Sequence, residues 1–444
     1  MRKLSPRRWH SIALASIAAG ALIRFVYVLA VHPPLEYVYS DMEGYVMRAT
    51  KLASGAPLDR YDAFYPPGTH IVLAVPLELL GTGRPGLWGA AVLWAGLSSL
   101  TPFFAWRFAR LLLTPAAAAL TAALTAIWPL HITYAGYFTS ETPLLAFLTG
   151  ALWLGYRARE SRPRTALALG LAAGLLGGAA IANRPQFALN LVVLGLPLLL
   201  AWRRHWPALA GVTAGASLVV AGVIAHNSGA AGKLTSISEN SGVTFFIGQC
   251  DVLEVRAISE SGFSASFSPP PAYQRGAGRT FTFKNRAIWD QGFFYSEGWK
   301  CIRRNGIAHS TMVARSLAEM TATTVPWPQV NERGVRDAAI VANFVYSAAL
   351  PVIVFAAVAL IQRRRARGQR AGELTMVLHL ACVVVVALVI FGDPRFRTPY
   401  DVFGLALLGA VLADRWLDRS GDEGEATVAA DDAAIFETTK EEDT

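Results

Sequence analysis

Charge is what this chain has least of: only 16% of its 444 residues are charged, against 53% apolar. That balance excludes an ordinary soluble protein and, with a mean hydropathy of +0.38, describes a multi-pass membrane protein. Cysteine is scarce too, at three residues, and neither CxxC nor HExxH occurs, so no familiar zinc pattern is present. A net charge of +9 does not point to nucleic acid, because there is no basic domain interleaved with aromatics. Inverted repeats and paired broken segments, which mark many transporters, are also missing.

What is present is a series of about ten apolar segments: 10–31, 87–106, 115–132, 140–156, 165–182, 186–202, 207–226, 341–361, 372–391 and 398–416. Each is near the length that crosses the hydrocarbon core. Basic residues fill every second connection: Arg2, Lys3, Arg7 and Arg8; Arg107 and Arg110; Arg157, Arg159, Arg162 and Arg164; Arg203 and Arg204; then Arg363, Arg364, Arg365, Arg367 and Arg370. By the positive-inside rule these connections and both termini are cytoplasmic.

The stretch 69–80 does not fit as a crossing. It is short, carries Pro76 and Glu78, and would invert the arginine pattern if counted. It reads as a re-entrant or juxtamembrane helix. The basic start, the apolar run and Ala30 resemble a signal peptide, but Arg24 interrupts the run, so the segment is expected to stay uncleaved.

The expected architecture is an all-α polytopic bundle in four parts. Residues 1–226 form a transmembrane module with a first exported loop at 32–68. Residues 227–340 are an extracytoplasmic insert, 341–417 the last transmembrane helices, and 418–444 an acidic tail expected to be disordered. The insert is rich in turn formers, with a hinge at Phe267-Ser268-Pro269-Pro270-Pro271, and its aromatics suit a small core or a platform for ligand. Cys250 and Cys301 both fall there, where an oxidising compartment permits pairing but spacing alone does not establish it.

Polar residues collect on the exported side. The first loop carries Ser40-Asp41-Met42-Glu43 and ends at Tyr65-Pro66-Pro67-Gly68; Ser140-Glu141, Asn183-Arg184-Pro185 and Gly392-Asp393-Pro394-Arg395-Phe396-Arg397 face the same compartment. Acids and arginines at such depth mark functional sites by default.

In their order and spacing these motifs resemble the GT-C membrane glycosyltransferases, in particular bacterial relatives of protein O-mannosyltransferases and lipid A aminoarabinose transferases. The resemblance implies transfer of a sugar from a polyprenyl-phosphate carrier to a lipid, glycan or protein hydroxyl outside the cytoplasm of a bacterial inner membrane. It implies Asp41 as the catalytic base and matches Glu141 to the family's second acidic position. Phosphate chemistry adds Arg395 and Arg397 as the donor-phosphate clamp, with Arg184 in reserve. Tyr65 and His70 read as substrate-contacting wall residues, and Glu43 as an assistant at the acceptor or a metal.

Asp41-x-Glu43 offers oxygen ligands for magnesium or manganese, yet two carboxylates make a thin site, and metal independence is expected. Arg24, inside the first span, is expected to pair internally. A transporter or flippase, or a non-catalytic subunit of envelope assembly, remains the alternative; loss of Asp41 would leave a structural subunit's role intact.

Overall fold

Some helices in this chain start where proline and a capping side chain coincide. The Ser5 hydroxyl accepts from Arg8 N ahead of Pro6, and the Thr114 hydroxyl accepts from Ala117 N ahead of Pro115. Both satisfy orphan donors of a first turn. The computed structural model describes residues 4–268, 278–321, 328 and 331–416. The acidic tail and most of the proline hinge therefore lie outside the described residues.

Along the chain come α1 (Pro6–Val26), continued by a π-helical turn to Val31, α2 (Asp41–Ala53), α3 (Gly68–Leu80), α4 (Arg84–Arg110), α5 (Pro115–Ala126), α6 (Pro129–Ala135), α7 (Glu141–Ala158), α8 (Pro163–Asn183), α9 (Ala188–Leu200) and α10 (Trp202–Ala231). The insert adds α11 (Ser241–Gln249), β1 (Val252–Ile258), β2 (Ser264–Phe267), β3 (Arg279–Lys284), α12 (Gln291–Asn305) and α13 (His309–Met320). The chain returns to the bundle with α14 (Arg333–Ala366), α15 (Glu373–Val389), the one-turn α16 (Pro394–Arg397) and α17 (Asp401–Trp416).

Helices stand at all ten expected spans, but they are not equal. Six of them, counting α1 with its continuation and α16 with α17, are long and apolar enough to cross a membrane. The pair α5 and α6, bent by 46°, makes a seventh, broken where Pro129 removes a backbone donor inside a continuous apolar run. The thirteen residues of α9 rise only about 20 Å, short of the roughly 30 Å hydrocarbon core. Helix α7 has Glu141 in its first turn and Arg157 in its last and is packed within the bundle.

Small residues decide how the helices meet. On α8, Gly170, Gly174 and Gly178 lie one turn apart and face α10, which presents Gly211 and Gly215 in return. A Cβ on Gly174 would stand 2.3 Å from Val212 O, and one on Gly215 2.4 Å from Leu171 O. Between helices in lipid, such close backbone approach replaces the hydrophobic drive of soluble proteins. Arg24 clamps α1 to its neighbours as expected, donating to Ser98 Oγ at 2.9 Å and to Thr125 O at 3.0 Å.

The insert departs from an all-helical plan by a three-stranded sheet in the order β2-β1-β3, with β1 antiparallel to β2 and parallel to β3. Alternation explains it: Val255 and Ala257 are buried while Arg256 between them is exposed, the period of a half-buried strand. Phe246, Val255, Ile288 and Phe294 form the insert's core, and Phe64 of the loop before α3 belongs to the same cluster. Tyr295 and Trp299 remain exposed and pack against Phe245 instead. Cys250 and Cys301 are disulfide-bonded, with Cα atoms 5.6 Å apart, tying the end of α11 to α12.

Docking onto the bundle is specific. Glu239 receives Arg60 at 2.8 and 3.3 Å and donates its own N–H to Ala63 O at 2.9 Å. On the other side Gln249 Nε2 donates to Leu388 O and Val389 O, the last turn of α15. The insert thus bridges the loop before α3 and the turn that carries Arg395.

Candidate active site

Asp41 opens α2 immediately after Ser40, whose φ of 53° and ψ of −125° are unusual for a residue with a side chain. That turn directs the Asp41 carboxylate back toward the bundle. Tyr65 O–H donates to its Oδ1 at 3.2 Å, and Arg395 Nη1 donates to its Oδ2 at 2.8 Å. The remaining face of the Arg395 guanidinium turns to Glu141, with Nε donating to Oε1 and Nη2 to Oε2, the latter at 3.3 Å. Glu141 also accepts from Arg184 Nη2, while Arg184 Nε donates to Ser140 Oγ at 2.8 Å.

Four connections far apart in sequence thus meet in one network. Its members differ sharply in access: the Asp41 side chain is 26% exposed, Arg184 10%, Arg395 7% and Glu141 fully buried. Only Asp41 is a carboxylate that a substrate can reach freely. Buried Glu141 is the counter-charge that holds two arginines in place, and a buried charge so paired is costly to break.

Local structure explains the placement. Pro66 and Pro67 lead into α3, and a Cβ on Gly68 would lie 2.6 Å from Asn183 N, so glycine is required where α3 presses on the end of α8. Thr69 Oγ1 donates to Asn183 Oδ1 at 2.9 Å across the same junction. Asn183 precedes Arg184, and Tyr65 precedes Gly68 by three residues, so this contact sets both side chains relative to each other. Arg395 is set by Asp393, whose Oδ1 accepts the Arg395 N–H at 2.6 Å ahead of Pro394.

Two expected members are elsewhere. Glu43 is exposed, because residues two apart on a helix do not share a face; it does not join Asp41. Arg397 is buried and donates to Asp401 at 2.9 Å, Asn343 at 2.7 Å, Ser347 at 2.7 Å and Met320 O at 3.2 Å. Its donors are committed to joining α13, α14 and α17, so Arg397 stands apart from the network of Asp41, Glu141, Arg184 and Arg395. His70 is buried in the first turn of α3, with Nδ1 lacking a hydrogen-bond partner and its ring 6.2 Å from that of His226.

Sequence reasoning missed Asp393 and Arg48. Asp before Pro at a helix start is a capping signature, and it was present within the motif already singled out. Arg48 is buried, donates to Gly44 O and Tyr61 O, and lies 5.0 Å from the ring centroids of Tyr61 and Tyr65; it backs the Tyr65 ring. Its spacing from Asp41 and the aromatics carried no local signal.

Burial, and then the Asp41 carboxylate, push the Tyr65 phenol well above its ordinary value, so it remains a donor. Burial likewise pushes Asp393 up to about 6, against the Arg395 N–H and the nearby Arg395 and Arg184 charges, which pull it down. Among the described residues no group of three or more His, Cys, Asp or Glu side chains converges in a way that could hold a metal.

Residues 65–227 match the family described as dolichyl-phosphate-mannose-protein mannosyltransferase. The match spans α3 to α10, including Tyr65, His70, Glu141 and Arg184, and leaves Asp41 and Arg395 outside. No curated protein matches the sequence. Among solved structures, an apo oligosaccharyltransferase of Archaeoglobus fulgidus is similar at TM-score 0.51 and 14% identity, over 91% of this chain and 51% of that one. The AglB oligosaccharyltransferase of the same organism, in complex with an inhibitory peptide and a dolichol-phosphate, is similar at TM-score 0.50 and 13% identity, over 96% of this chain and 54% of that one. ArnT of Cupriavidus metallidurans, bound to undecaprenyl phosphate, gives TM-score 0.39 and 18% identity, over 90% and 77%. The chain spans about half the length of these oligosaccharyltransferases. Its fold is that of these archaeal oligosaccharyltransferases.

Proposed function

We propose that this GT-C-fold membrane protein is a glycosyltransferase that moves a sugar from a polyprenyl-phosphate donor to an acceptor hydroxyl on the extracytoplasmic side. The observation that carries the reading is the exposed Asp41 carboxylate held between Tyr65 and Arg395, with Arg395 and Arg184 fixed by a buried Glu141. A hydroxyl nucleophile needs a proton acceptor within hydrogen-bond reach, and a departing lipid phosphate needs fixed cations where its charge develops. The network supplies both within one guanidinium's breadth.

In the proposed step the acceptor oxygen attacks the anomeric carbon, its proton passes to Asp41, and the bond from that carbon to the phosphate oxygen breaks with its electron pair. One displacement inverts the anomeric centre. Arg395 and Arg184 bind the leaving phosphate; Tyr65 orients Asp41; His70 stands in the wall behind. The chemistry needs no metal on this reading, although a divalent ion held by Asp41 and the donor phosphate would be compatible with it.

The test is transfer of radiolabelled sugar from extracted polyprenyl-phosphate sugars in proteoliposomes, comparing wild type with Asp41→Asn at matched folded yield. Transfer that the variant abolishes supports the reading and its product identifies the acceptor. Transfer unchanged by the substitution removes Asp41 as the base, and lipid movement without transfer would favour a flippase.

A further inference from the structure

At the far end of α7, about 26 Å from Glu141 at 1.5 Å per residue, the bundle has a second polar feature. A cleft of about 140 Å³ opens between the end of α7, the start of α8 and the start of α10, lined among others by Arg159, Glu160, Arg204 and His205. Several waters' worth of space is bordered here by two guanidinium groups, neither with an ion-pair or hydrogen-bond partner among the described residues. His205 is only 8% exposed, and its ring likewise has no hydrogen-bond partner among the described residues. Glu160 is exposed at the lip and pairs with neither arginine. Helix α10 begins here without a side-chain cap, so its N-terminal donors and the positive end of its dipole add to the same field.

Two cations and an imidazole whose ring N–H is free to donate line one cleft, a lining whose complement is an anion. The surroundings say what kind. Leu199, Leu200, Trp202 and Trp206 are 57, 78, 56 and 58% exposed, an apolar and indole-rich flank of the sort that sits at the membrane–water interface. We propose that the cleft binds the phosphate of an anionic phospholipid headgroup: Arg159 and Arg204 grip its oxygens, His205 donates from beneath, and the acyl chains run along Leu199, Leu200, Trp202 and Trp206. The site is on the opposite membrane face from Asp41 and is separate from the proposed reaction.

The experiment is native mass spectrometry of the full chain released from nanodiscs containing phosphatidylglycerol or phosphatidylcholine. Wild type is expected to retain one phosphatidylglycerol and no phosphatidylcholine. The Arg159→Gln/Arg204→Gln double variant should retain phosphatidylglycerol at least about tenfold more weakly, and His205→Gln should weaken retention to a lesser degree. A control double variant, Arg162→Gln/Arg203→Gln, removes neighbouring arginines that do not line the cleft and should leave retention unchanged. Equal loss in both double variants would mean only diffuse surface charge, and no loss in either would overturn the site. Displacement of the lipid by millimolar inorganic phosphate would assign the cleft to a soluble anion and overturn the lipid reading. Unchanged thermal unfolding of the variants in detergent secures the comparison.

Discussion

Arg395 is bound by Asp41 at 2.8 Å through one nitrogen and by Glu141 through the other two, so a single guanidinium links the exposed carboxylate to the buried one. Arg395→Lys keeps the charge and loses the fork. It is expected to fold and to lower kcat/KM by about two to three orders of magnitude, the scale of losing one preorganised donor to a developing anion. Steady-state transfer kinetics with varied donor measure it; an unchanged kcat/KM would take Arg395 out of the phosphate site.

Glu141→Gln and Asp41→Asn should separate structure from chemistry. The first leaves Arg184 and Arg395 without their buried counter-charge, a loss of about 3–5 kcal/mol, and should cut folded yield. The second touches a carboxylate that is 26% exposed and should fold as wild type while losing transfer. Size-exclusion yield and thermal unfolding, read beside activity, distinguish the two.

Asp393 titrates near 6 when folded, against an ordinary value of 3.8. The folded state therefore binds its proton more tightly than the unfolded state does. Its contribution is fully present below about pH 4 and lost as pH rises through 6, at most about 3 kcal/mol. Asp393→Asn keeps the oxygen that accepts from Arg395 N–H and removes the titration. The difference in unfolding midpoint between variant and wild type should widen in favour of Asn from pH 4 to 7; a constant difference would contradict the assignment.

Removing the Cys250–Cys301 bond frees a loop of 51 residues, for which chain entropy gives a loss of roughly 4 kcal/mol. The Cys250→Ser/Cys301→Ser variant should make the insert protease-sensitive before the bundle. Limited proteolysis followed by mass mapping reads this directly.

At the α8–α10 contact, Gly174→Val puts a branched side chain where a Cβ alone already meets Val212 O at 2.3 Å. The helices must separate, and the loss should exceed the 1–3 kcal/mol usual for overpacking. Gly222→Val, with no atom within 4 Å of its Cβ position, should be close to neutral. Unfolding in a detergent titration compares them.

Long apolar runs and the alternation of arginines made the helix order readable, because both follow from the cost of polar groups in lipid. The break at Pro129 was not, since the run around it stays apolar on both sides; nor was the sheet, whose β1 and β3 are separated by residues 259–278. In the site, Asp41, Glu141, Arg184 and Arg395 were visible as charges at the ends of apolar segments, and the structure joins them. Glu43 stands outside the network because two-residue spacing divides a helix into opposite faces. Arg397 stands outside it because it pairs with Asp401 four residues on, across the junction of α16 and α17. Nothing local foretold that Glu239 of the insert would receive Arg60, a contact spanning 179 residues.

Both oxygens of Asp41 accept one hydrogen bond, one from Tyr65 and the other from Arg395. Each keeps a further lone pair, so a hydroxyl can approach the carboxylate without displacing either partner, and the two donors instead fix the plane in which it must arrive. On the proposed reading the spent carrier keeps its phosphate and so competes with fresh donor for Arg395 and Arg184.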